Sequence, residues 1–160
     1  MLKNLVAGVW RRAPVWVRRA GVWLTHTRFL VTAGAVVCDE RGRVLLLRHR
    51  LRPGEGWGIP GGFLAPGEQP EEALRREMRE ETGLELEAVE LAFARTLPHV
   101  RQVEVIFRCA LRAAALEGRT PSFEIERAAW FDPAALPDGL SADQRGLIGR
   151  ALAGRAKSAE

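Results

Sequence analysis

Three carboxylates, Glu77, Glu80 and Glu81, stand at i, i+3 and i+4 within the run GFLAPGEQPEEALRREMREETGL, residues 62–84. On a helix that spacing puts all three on one face. Like charges so placed oppose the helix by roughly 0.2–0.5 kcal/mol per pair. Two readings follow. A hard divalent cation, Mg²⁺ or alternatively Mn²⁺, takes oxygen ligands of this kind and is often shared with substrate phosphates. The other reading is a solvated acidic face, the usual fate of a charge run.

The elements around the carboxylates favour the first reading. Pro70 suits the first position of a helix, and Glu71 and Glu72 face its positive end. Gly83 stands where a helix C-cap glycine belongs. Leu74 and Met78, four apart, give the same helix an apolar stripe. The pattern predicts a helix over 70–82 that packs on a sheet and holds its carboxylates at an edge.

Gly62, five residues, Glu68, seven residues, then Arg76-Glu77-Met78-Arg79-Glu80-Glu81-Thr82-Gly83-Leu84 resembles the Nudix box at every fixed position. Trp57 to Gly62 resembles the segment that enters such a box. Ala129-Trp130-Phe131 with Asp132 and Leu136 resembles the strand and short helix that follow it. The resemblance to Nudix hydrolases spans roughly residues 28–155.

The resemblance implies an α/β/α sandwich around a mixed β-sheet and a metal-dependent hydrolase of phosphoanhydrides. It implies metal ligation by Glu77, Glu80 and Glu81, completed by the backbone carbonyl of Gly61. Gly62 then permits close approach of the chain, Arg76 orients a neighbouring glutamate, and Glu68 braces the loop. The chemistry is consistent with this set, because metal ions stabilise phosphoryl charge and acidify a bound water. The general base is either Glu77 or a carboxylate further along. Glu124 and Glu126 alternate with Ile125 and so face one side of an expected strand, as a base, an extra ligand or a plain strand edge. Arg48, Arg50 and Arg52 are candidate phosphate clamps, and His99 a candidate substrate contact; each reads equally as surface.

The expected substrate is a nucleoside diphosphate linked to another moiety, cleaved to a nucleoside monophosphate and phosphorylated X. The alternative is a house-cleaning nucleoside triphosphate pyrophosphohydrolase of MutT type. A silent binding module is a third reading, opposed by the intact carboxylate set. Subtype markers are weak: the chain has no tyrosine, and Pro98 lies 14 residues past Leu84.

A chain of 160 residues fits one domain with a real core. The stretch Phe29 to Cys38 is too short to span a bilayer, and arginines interrupt the first 30 residues where a secretory signal would be apolar. Cys38 and Cys109 lie in apolar runs and read as reduced thiols, which points to the cytoplasm. The net charge of +4 is unevenly spread. Residues 1–60 carry 11 basic and 3 acidic side chains, and residues 61–90 carry 3 and 9. Basic surface beside an acidic metal site suits a polyanion bridged to a cation. No aromatic-interleaved recognition motif appears in the catalytic part, so nucleic acid is not an expected partner.

Periodicity predicts an α+β fold. Helices fall near 2–12 and 14–25 and strands near 28–38 and 43–49. A strand at 59–64 leads into the 70–82 helix. Strands near 85–96 and 102–113 pair around Pro98-His99, and a strand at 124–131 precedes a helix at 141–155 begun by Ser141. Residues 1–27 form a basic, tryptophan-containing extension and residues 28–160 the catalytic domain. In the extension Trp16, Ala20, Trp23 and Leu24 share one helical face, with Trp10 and several arginines nearby. That face suits an anionic membrane surface contacted through residues 1–26, or packing against the domain or a second copy in a homodimer.

Overall fold

The computed structural model describes residues 10–50, 56–111 and 122–157. Among the described residues the helices α1 (Val15–Thr25), α2 (Pro70–Thr82) and α3 (Ala142–Lys157) accompany seven strands. These are β1 (Leu30–Cys38), β2 (Val44–His49), β3 (Trp57–Gly58), β4 (Gly61–Phe63), β5 (Ala88–Leu97), β6 (Gln102–Ala110) and β7 (Ile125–Phe131). They form one sheet in the order β3-β2-β1-β6-β5, with β4 added to β1 and β7 to β2. β1 and β6 run parallel and the other pairs antiparallel, so the sheet is mixed.

The apolar runs of β1 and β2 are buried on both faces, as their composition predicts. Ala33, Ala35, Val37, Leu45 and Leu47 pack with Leu74 and Met78 of α2. Val36, Val44 and Leu46 pack on the opposite face with Leu147, Ile148 and Ala151 of α3. The period-2 alternation of the strands thus assigns one face to each helix, and an α/β/α sandwich results. Pro70 opens α2, the Gln69 N–H is capped by Glu72 at 2.9 Å, and Gly83 closes the helix at φ 68°. Ser141 Oγ accepts the Gln144 N–H at 3.2 Å and starts α3.

The turn between β1 and β2 is tied by one buried carboxylate. Asp39 Oδ1 accepts the backbone N–H groups of Arg41 and Arg43 at 3.0 and 2.8 Å, and Oδ2 accepts Arg43 Nε at 2.7 Å. Burial alone would raise its pKa, but these bonds offset it and hold the carboxyl below its usual range. Asp39→Ala leaves three donors without that acceptor. It is expected to cost about 2 kcal/mol, measurable as a lowered midpoint in urea unfolding.

The structure departs from the sequence expectations at several places, and the short helix expected around Asp132 to Leu136 is a turn, the Ala135 N–H bonded to the Asp132 carbonyl at 2.9 Å. The strand expected at 59–64 shortens to β4, Gly61–Phe63, on β1, while β3, Trp57–Gly58, lies within the stretch expected as loop and pairs with β2. Ile59 and Pro60 lie between the two strands, and Gly61, at φ 146°, begins β4. The segment expected to begin a strand at 124 is still a turn there, and β7 starts at Ile125. The strand expected at 85–96 begins only at Ala88. Residues 2–9 of the expected first helix and residues 112–113 of the strand expected near 102–113 lie outside the described residues. Neither Cys38 nor Cys109 is in a disulfide, and burial pushes the Cys109 thiol up to about 12. No helix among the described residues is long and apolar enough to cross a membrane.

Candidate active site

The site is built on a floor of two glycines. Gly61 and Gly62 of β4 pair with Gly34 and Ala33 of β1. A Cβ on Gly61 would overlap the Ala33 carbonyl oxygen and the Gly34 Cα, and its φ of 146° is one that side chains rarely adopt. A Cβ on Gly62 would fall on the carboxylate of Glu77 instead. The strand backbone and the α2 side chain therefore meet there with nothing between them.

Arg76 gathers the acids. Its Nε and Nη2 donate to the two oxygens of Glu68 at 2.9 and 3.0 Å, and Nη2 also reaches the Phe63 carbonyl at 3.0 Å. Its Nη1 donates to Glu77 at 2.9 Å and Glu80 at 3.1 Å. Glu68 accepts the Ala65 N–H at 2.8 Å as well, so the loop before α2 is fastened to the helix. The Arg76 guanidinium first, then the Ala65 N–H, holds the Glu68 carboxyl below its usual range. Those carboxylates in turn raise the Arg76 pKa well above its ordinary value, Glu68 contributing most. A fork that binds two directions at once is a task for arginine rather than lysine.

The three helix carboxylates have different surroundings. Glu77 lies against Gly62, the Glu80 side chain is 59% exposed, and Glu81 is buried at 8%. Glu81 Oε1 is 3.9 Å from His49 Nδ1, and its backbone carbonyl accepts the Ser122 N–H at 3.0 Å. As the side chains stand, no three acid, histidine or cysteine groups among the described residues converge around a point where a cation would sit. The donor set nonetheless fits a hard divalent ion. It comprises three carboxylates on one face beside a glycine cradle, two of them held by a single arginine that an incoming cation would displace. Exposed Glu80 has room to swing.

Of the remaining sequence candidates, Arg48, Arg50, Glu124 and Glu126 lie in or beside β2 and β7. Arg48 Nε lies 3.4 Å from Glu126, both partly exposed. Glu124 precedes β7, because the chain turns at 122–124 with the Ile125 N–H bonded to the Ser122 carbonyl. The expectation that Glu124 and Glu126 share one strand face is thus corrected. Arg50 donates its N–H to the Glu124 carbonyl at 3.0 Å, and its guanidinium is 5.7 Å from the Phe123 ring centre. Arg52 lies outside the described residues. His99 occupies the 3₁₀ turn Pro98–Val100 between β5 and β6 and is exposed.

A cleft that the sequence reading passed over opens beside Gly61 and Gly62. It encloses about 160 Å³ and is lined by Thr32, Gln102, Glu104, Ile106 and Gln144 among others. Gln102 Nε2 donates to Thr32 Oγ1 at 2.8 Å, across the parallel β1–β6 pair. Arg95 bonds Glu104 and also grips both oxygens of Asp143 at 2.7 and 2.6 Å. Gln144 Oε1 accepts the Ile59 N–H at 3.1 Å. The alternation of Gln102, Glu104 and Ile106 on one face of β6 was the available signal. A larger cavity of about 280 Å³ between Cys38 and Cys109 lies at the other end of β1, away from the carboxylates.

Comparison with known proteins identifies the family and the fold. Residues 28–150 match the sequence profile of the NUDIX domain. The chain is 33% identical over 109 residues to the NAD-capped RNA hydrolase NudC of Chromobacterium violaceum, covering 67% of this chain and 40% of that one. It is 39% identical over 56 residues to the 8-oxo-dGTP diphosphatase of Proteus vulgaris, covering 34% of this chain and 50% of that one. The matches therefore span about half or less of these relatives' lengths. A crystal structure of a MutT/nudix family protein from Enterococcus faecalis superposes with a TM-score of 0.71 at 18% identity, covering 97% of this chain and 74% of that one. The chain belongs to the NUDIX domain family.

Proposed function

We propose that residues 28–160 form a hydrolase that cleaves the pyrophosphate bond of a nucleoside diphosphate linked to a second moiety, with residues 1–27 an appended segment. The observation that carries this reading is the array of Glu68, Glu77 and Glu80 around Arg76, set on the bare backbone of Gly62. Glu77, Glu80 and Glu81 would hold Mg²⁺, with Mn²⁺ able to substitute, and Gly61 adds its carbonyl. The ion, when bound, neutralises phosphoryl charge and acidifies a water. Arg76 keeps Glu77 and Glu80 oriented before binding, and Glu68 keeps Arg76 in place.

The cleft beside Gly61 would receive the substrate's uncharged part, with Thr32, Gln102 and Gln144 supplying hydrogen bonds. Arg48 and Arg50 add positive charge where β2 ends, and Arg52 is a further candidate phosphate contact. The two unbridged thiols suit a reducing cytoplasm. The second reading, hydrolysis of nucleoside triphosphates, is supported by the similarity to an 8-oxo-dGTP diphosphatase.

A panel of nucleoside diphosphate conjugates and (d)NTPs, assayed with Mg²⁺ and with Mn²⁺, tests both. Nucleoside monophosphate and phosphorylated X are the expected products. Release of pyrophosphate from triphosphates alone would select the second reading. Inactivity across the panel with both metals would sink the enzyme assignment.

A further inference from the structure

The segment ahead of the sheet has a character of its own. Up to Cys38 the chain carries six basic residues and no acidic one. α1 contributes no buried residue, so the sheet does not cover it. Trp16 is 72% exposed, Trp23 56% and Leu24 73%, all on the face they share with exposed Ala20. The Trp10 ring lies against Gly21, where a Cβ would collide with it, so residues 10–12 fold back on α1. Between Trp10 and Trp23 runs an apolar groove of about 680 Å³ rimmed by Arg18, Arg19 and Arg28. The Arg28 guanidinium sits 4.1 Å from the Trp23 ring centre.

Large apolar patches of this kind on a folded protein mark a surface that meets something else. The charge decides what. A two-fold contact with a second copy would set this patch against itself. Arginine would then face arginine, with no carboxylate in the segment to relieve the repulsion. An anionic lipid surface meets every requirement together. Its phosphates match the arginines, its interfacial zone accommodates indoles, and it accepts a helix too short to cross it.

We propose that residues 10–28 dock the protein on an anionic membrane surface. α1 lies in the plane of the interface, with Trp16, Trp23 and Leu24 in the acyl boundary and Arg19 and Arg28 on headgroup phosphates. Arg18, further round the helix, adds to the attraction at longer range. The docking segment shares no residue with the lining of the cleft.

Sedimentation of the full-length protein with extruded vesicles tests this. Vesicles containing phosphatidylglycerol are expected to pellet the protein and shift its tryptophan emission to the blue, and pure phosphatidylcholine vesicles to do neither. Arg19→Glu/Arg28→Glu is expected to weaken binding by at least about 25-fold, and high salt to weaken it as well. Trp16→Ser/Trp23→Ser should abolish pelleting while leaving the thermal midpoint of the sheet domain unchanged, since neither side chain is buried. The proposal is overturned by failure to pellet with either vesicle. It is equally overturned by binding that ignores the arginine reversals. Concentration-dependent dimerisation without vesicles, lost in the tryptophan variant, would assign the surface to a second copy instead.

Discussion

Glu81→Gln lowers turnover on the best substrate by at least about a hundredfold while the protein stays folded. The side chain is 8% exposed and closely surrounded, with His49 3.9 Å away, and the amide fills the same volume. What changes is the charge. A carboxamide is a poor ligand for a hard divalent ion, and one missing ligand removes several kcal/mol of transition-state stabilisation. Steady-state kinetics at saturating Mg²⁺, alongside a thermal melt, separate the effects. Near-parental kcat in a folded variant would show that Glu81 is a structural acid, and the metal assignment would have to move to other residues.

The two floor glycines are expected to fail in opposite ways when each is replaced by alanine. At Gly62 the new methyl meets the Glu77 carboxylate, the movable end of a side chain. The fold survives by pushing Glu77 off its place beside Arg76, and kcat falls at least about tenfold. At Gly61 the methyl meets the Ala33 carbonyl and the Gly34 Cα, which are sheet backbone, at a φ of 146°. Neither can yield cheaply. Gly61→Ala is expected to cost at least about 3 kcal/mol of stability and to lower the melting midpoint by roughly 6–12 °C for a domain of this size. Melting curves and kcat measured on both variants check the pair. Full activity in Gly62→Ala would mean that the position of Glu77 against the strand has no bearing on catalysis.

What could be read in advance was what the chain signals locally. The Pro70–Thr82 helix was legible at both ends, because a first-turn proline and a left-handed glycine are one-residue signals. The burial of β1 and β2 on two faces was legible in their unbroken apolar composition. The short pairing of Trp57–Gly58 with β2 was not legible, because two residues are too few to show a period. The cleft had no local signature as a whole. Gln102 meets Thr32 across 70 residues of sequence, and Arg95 meets Asp143 across 48. Such contacts depend on the register of a parallel pair and the docking of α3, which periodicity alone does not fix. Glu124 was misplaced for a smaller reason: alternation in a short window does not reveal where a turn ends and a strand begins.

The bond from Gln144 to the Ile59 N–H bears on when the protein can begin to work. Ile59 enters the glycine floor, and its partner is near the start of the last helix. The same helix brings Leu147, Ile148 and Ala151 to cover one whole face of the sheet. While a ribosome still holds α3, a nascent chain already carries every carboxylate of α2 and can close most of its strands. Its floor is nevertheless untethered and half its core is wet. Activity should therefore appear only once α3 has emerged and docked, as one cooperative event rather than by degrees as strands pair.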